Sequence, residues 1–123
     1  MLKYLYMSKI ITDKDKVEDI LTRGIEDVFV LEDLKAKRYS WKQLRVKFGI
    51  DPTIPYIHLG RAVPLRKLKS FQDLGHKVVL IIGDYTARIG DPSDKLEKRP
   101  MLSDKEIKNN LKKYLDQITL ILD

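Results

Sequence analysis

Cysteine is absent from this 123-residue chain. No disulfide framework can brace it and no thiolate can hold a metal, which fits a cytoplasmic setting. Long apolar runs are missing as well. The longest, VVLIIG at 78–83, falls far short of the ~20 residues of a membrane span, so no membrane partner is expected. The opening MLKYLYMSKI lacks a small-residue cleavage site and does not read as a secretory signal. No internal repeat or low-complexity tract is present. Tryptophan occurs once, as Trp41 just ahead of a strand-like run, and reads as a buried anchor rather than a base-stacking platform. Acidic residues are outnumbered, 18 against 24 Lys and Arg, for a net charge of +6. That balance suits an anionic ligand or partner, or simply lysine-rich helices facing water.

The length allows one domain with one core over 1–123. Residues 1–40 read as a helical lead-in. Thr12 or Asp13 can cap a helix over 14–21 with Val17, Ile20 and Leu21 on its apolar stripe, closed by Gly24. A second helix is expected over 30–37 on Val30, Leu31 and Leu34. Met7-Ser8-Lys9 resembles part of a lysine-rich signature loop, but it precedes the central unit and reads as coincidence. The 92–102 stretch turns to charge and proline and reads as a mobile loop. A helix over 103–122 then opens on a capping-box pattern, Ser103 with Glu106. Its stripe is Ile107, Leu111, Tyr114 or Leu115, Ile118 and Leu122.

The centre of the chain is a strand–helix–strand unit over 44–91. In its first strand, over 44–49, Leu44, Val46 and Phe48 alternate with Arg45 and Lys47, one face dry and one wet. The loop IDPTIPY leads through His58 and Gly60 into a basic helix that stops at Gly75, carries Arg61, Arg66, Lys67 and Lys69, and has Leu65, Leu68, Phe71 and Leu74 as its core stripe. Pro64 falls within the first turn of that helix, where it is harmless, or one turn further in, where it releases a carbonyl near Gly60. His76 reads as a surface or cap residue. The second strand runs over 78–83, its crossover makes the pair parallel, and GDYTARIGD follows at the ligand-binding ends of the strands. A loop entering a helix N-terminus favours a phosphate, with Gly60 admitting a ligand to the backbone and His58 able to donate. A buried crossover with a polar loop is the plain alternative.

Gly49, Asp51-Pro52-Thr53, His58-Leu59-Gly60 and Ile89-Gly90-Asp91-Pro92-Ser93 carry a more specific pattern. It resembles the first signature of class I aminoacyl-tRNA synthetases, and the continuation is similar to tyrosyl-tRNA synthetases in particular. The resemblance implies an α/β fold, an incomplete half of a Rossmann-type (HUP-like) parallel sheet with flanking helices. It implies a tyrosine–tRNA ligase that joins tyrosine to ATP, with magnesium, and passes the product to tRNA. Gly49, Asp51, Thr53, His58, Gly60 and Arg61 would bind ATP. Gly49, Thr86 and Asp91 would bind tyrosine. His58, Arg61, Lys95 and Arg99 would act in catalysis, the last two on the pyrophosphate, and no residue is expected to ligate a metal directly. Arg61 stands where the family's second signature histidine is usual, and Asp94 where glycine is usual. The chain matches roughly the first third of such an enzyme, so weak activity alone and self-association through an exposed sheet edge are expected. The other readings are a stand-alone nucleotidyltransferase and a non-catalytic RNA-binding module.

Overall fold

The computed structural model describes residues 10–39, 42–89 and 102–123. Within them the order is α1 (Lys14–Thr22), α2 (Leu31–Tyr39), β1 (Arg45–Ile50), α3 (Leu59–Asp73), β2 (Lys77–Ile82), α4 (Asp84–Ile89) and α5 (Asp104–Ile118). The chain divides into two compact units, one made of Met1–Val46 with Lys67–Val78, the other of Lys47–Arg66 with Val79–Asp123. Residues 1–9, Trp41 and positions 92–101 of the expected loop lie outside the described residues.

In the first unit, Asp13 is the N-cap of α1, its carboxylate accepting from the Lys16 N–H at 3.0 Å. Val17, Ile20 and Leu21 are buried with Leu74, and Ile11, Leu31, Leu34 and Phe71 pack against them. Arg23 ends the helix and Gly24 follows at a φ of 64°, a left-handed turn that glycine adopts without strain. Lys67 completes this end by donating from Nζ to the carbonyls of Ile20 at 3.0 Å and Arg23 at 2.6 Å. Burial lowers the pKa of that ammonium, and Asp19 opposes the shift.

Two expectations fail in this unit. Val30 does not belong to the apolar stripe of α2. It precedes the helix, exposed, at a φ of 56° that a β-branched residue rarely adopts, and its carbonyl accepts from the Leu34 N–H. His76 is not a surface residue. Only 3% of it is exposed. Its Nδ1 accepts from the Leu44 N–H at 3.2 Å, and its ring lies tilted against Phe71.

β1 and β2 form a two-stranded sheet. Lys77 N–H donates to the Leu44 carbonyl and Gly83 N–H to the Ile50 carbonyl, a register that advances in step along both strands and makes them parallel. The expected alternation holds in β1, where Arg45 and Lys47 are exposed and Val46 and Phe48 half-buried. The strand–helix–strand order with parallel strands is the repeating piece of a Rossmann-type sheet.

The second unit buries Ile50, Leu65, Ala87, Ile107, Tyr114, Ile118 and Leu122. Tyr114, not Leu115, fills the ambiguous position on the stripe of α5. α5 opens on a complete capping box: Ser103 Oγ accepts from the Glu106 N–H, and the Glu106 carboxylate accepts from the Ser103 N–H at 2.8 Å. Pro64 lies inside α3, so the Gly60 carbonyl loses its intrahelical donor.

Candidate functional site

The site is the segment between β1 and α3 together with what holds it, all within the second unit. His58 starts α3: its carbonyl accepts from the N–H groups of Arg61 at 2.9 Å and Ala62 at 3.0 Å. Its imidazole is exposed and lies so close to the next turn that a Cβ on Gly60 would stand 3.2 Å from two ring atoms. Gly60 therefore makes room for the histidine ring as well as for anything approaching the helix end. No such demand acts at Gly49, where a Cβ would meet nothing within 4 Å.

Asp51 and Thr86 come together: the threonine hydroxyl donates to Asp51 Oδ1 at 2.7 Å. Gly83 is required beneath them, since a Cβ there would fall 2.0 Å from Thr86 Oγ1 and 2.2 Å from Asp51 Oδ1. The segment after Gly83 is the short helix α4, and it brings Thr86 back to Asp51. Arg88 of α4 pairs with Asp104 of α5 at 2.7 Å.

Arg61 turns inward. One terminal nitrogen donates to the Asp51 carbonyl at 2.7 Å and to the Tyr114 hydroxyl, and the other donates to Thr53 Oγ1 at 3.1 Å. Two further residues of α5 hold the same loop. Asn110 donates to the Pro52 carbonyl at 3.1 Å. Gln117 donates to the Pro55 carbonyl at 2.9 Å and accepts from the Ile57 N–H at 3.0 Å. Asn110, Tyr114 and Gln117 share one face of the helix at i, i+4 and i+7 spacing. The basic stripe read along α3 is thus largely committed within the protein. Arg61 holds the loop, Lys67 caps α1, and Lys69 pairs with Asp73 at 2.9 Å.

The structure brings Asp51, Thr53 and Arg61 together, and Asp51 with Thr86, while His58 stacks over Gly60. Asp91, Asp94, Lys95 and Arg99 lie outside the described residues.

The family model for class I tRNA synthetases (W and Y) matches residues 39–123. The chain belongs to this family. It is 53% identical over 110 residues to the tyrosine–tRNA ligase of Dehalococcoides mccartyi, covering 89% of this chain and 28% of that protein. With the ligase of Deinococcus radiodurans the identity is 55% over 103 residues, 84% of this chain and 25% of that one. The Thermotoga maritima ligase is 53% identical over 112 residues, 91% of this chain and 28% of the relative. The chain therefore spans about a quarter of the length of these relatives.

In this class I synthetase chain the residues that sequence reasoning missed are Asn110 and Gln117. The available signal was two amides flanking Tyr114 on a helix whose other exposed positions are mostly charged. Amides placed beside an apolar stripe tend to serve buried backbone groups. Among the described residues no helix is long and apolar enough to cross a membrane.

Proposed function

We propose that this chain forms the nucleotide-binding part of a tyrosine–tRNA ligase. The observation that carries the reading is the identity of 53% and 55% to tyrosine–tRNA ligases across most of the chain. In the reaction, a tyrosine carboxylate oxygen attacks the α-phosphorus of ATP. The bond from that phosphorus to the bridging oxygen breaks and pyrophosphate departs; a tRNA hydroxyl then attacks the tyrosyl carbonyl of the adenylate, and AMP leaves. Such a transfer depends on positioning and on cations that meet the developing phosphate charge.

His58 and Gly60 face the phosphates at the start of α3. Gly49, Asp51 and Thr53 line the cleft for ATP and tyrosine. The Asp51 carboxylate has one oxygen occupied by Thr86, and the second is available as an acceptor. Thr86 and Asp91 receive the tyrosine, the Asp91 carboxylate accepting from the substrate's α-ammonium, while Lys95 and Arg99 clamp the pyrophosphate. Arg61 belongs to the same site through the Asp51 carbonyl and the Thr53 hydroxyl, beneath the ATP-binding loop. Among the described residues no three His, Asp or Glu side chains converge on one point. Magnesium would enter on the phosphates of ATP, where it neutralises charge. The remaining partners of the proposal are tRNA and a second copy of the chain, in the cytoplasm.

The test is tyrosine-dependent exchange of pyrophosphate into ATP. The chain alone is expected to bind ATP weakly and to exchange little. A chimera carrying this chain in place of the matching segment of the Thermotoga maritima ligase is expected to exchange readily. His58→Ala in that chimera should reduce exchange about a hundredfold. A folded chimera without tyrosine-dependent exchange, or one indifferent to His58→Ala, overturns the reading.

A further inference from the structure

We propose that Arg61 and Tyr114 are positioning residues, a pair that sets the loop at 51–57 for its ligand, and that Arg61 is not itself a phosphate ligand. The proposal rests on the nucleotide reading above for the identity of that ligand.

Three N–H groups of the Arg61 guanidinium end on protein acceptors, and two of these belong to Asp51 and Thr53, residues of the loop that would meet the nucleotide. The third is the hydroxyl of Tyr114, a fully buried side chain. If Arg61 swung out to a phosphate, it would strand that hydroxyl away from water, and a buried polar group without a partner is costly. The fork geometry of the guanidinium lets one side chain bridge a carbonyl and two hydroxyls, which a lysine ammonium does not reproduce. Tyr114 in turn lies between Asn110 and Gln117, which hold the Pro52 and Pro55 carbonyls. The loop is therefore fixed from α5 by side chains that need not touch the ligand, and small displacements of such a support are amplified in binding and rate.

The variants Tyr114→Phe, Arg61→Lys and the double substitution test this in the intact chain. The readouts are amide hydrogen exchange at 51–57, ATP affinity and melting temperature. Tyr114→Phe keeps the buried ring and removes only the hydroxyl. It is expected to speed exchange in the loop about tenfold and weaken ATP binding about fivefold, with little change in melting temperature. Arg61→Lys keeps the charge and should match both effects, and the double variant should be no worse than the poorer single one. If Arg61→Lys retains affinity while Tyr114→Phe is silent, Arg61 is a charge partner of the phosphate and the proposal is overturned. Faster loop exchange with unchanged ATP affinity also overturns it. If the unaltered chain binds no ATP while both variants loosen the loop together, the clamp stands and the nucleotide reading falls.

Discussion

Helix α1 and the loop at 51–57 are both too short to hold a shape alone, and they are fixed by opposite means. α1 is a nine-residue helix, below the length at which helices persist in water. It is held by burying Val17, Ile20 and Leu21 against Leu74. The loop has two prolines and offers its carbonyls instead. Arg61, Asn110 and Gln117 take those of Asp51, Pro52 and Pro55. Apolar burial is non-directional and tolerates small shifts, whereas hydrogen bonds to a loop specify where each backbone group stands. The segment that only has to pack uses the first device. The segment proposed to meet a ligand uses the second.

The largest effect expected from breaking this contrast is on the apolar side. Leu21→Ala removes a buried side chain from the α1 cluster and should lower stability by about 3 kcal/mol, read from urea unfolding. The reciprocal change sharpens the contrast. Gln117→Leu keeps the volume and adds apolar surface, so it should be neutral or stabilising if burial alone held the loop. Because it leaves the Ile57 N–H and the Pro55 carbonyl without their partner, it is expected instead to cost about 1–2 kcal/mol and to raise exchange at the Ile57 amide. A neutral result for Gln117→Leu would remove the distinction between the two regions.

The same contrast explains what could be read in advance. Apolar periodicity marks helices and strands directly, so α1 was expected over 14–21 and is found over Lys14–Thr22, and the Leu65, Leu68 and Leu74 stripe is buried. The strands are displaced by a single residue at their ends. Side chain-to-backbone bonds between distant segments leave no period. The inward bonds of Arg61, Asn110 and Gln117 to the 51–57 loop are of this kind, and no pattern in the sequence marks them. α4 is six residues, too short for a pattern. His76 looked like a cap because its burial depends on Phe71 and on the Leu44 N–H, neither of which adjoins it in sequence. The pattern that resembles a synthetase was legible because it is a string of identities, and the family match over 39–123 bears it out.

The smallest expected effect concerns the start of α5, the helix that carries the polar supports. Ser103 donates from both its hydroxyl and its backbone N–H to the Glu106 carboxylate, and these bonds hold the Glu106 pKa below the usual glutamate value. A carboxylate whose pKa is depressed in the folded state stabilises that state above its unfolded pKa, and the contribution fades as pH falls through the folded value. The capping box should therefore weaken below the ordinary glutamate range and not at neutral pH. Ser103→Ala should cost roughly 1 kcal/mol at neutral pH and return Glu106 toward the usual value, a change that carboxyl NMR titration reads directly. The consequence for the contrast lies at the far end of the helix. If fraying stays at the first turn, acid will loosen Glu106 while the Gln117 tether to Ile57 keeps its protection. If both are lost together, α5 holds the loop as a single unit, and its cap belongs to the support of the site.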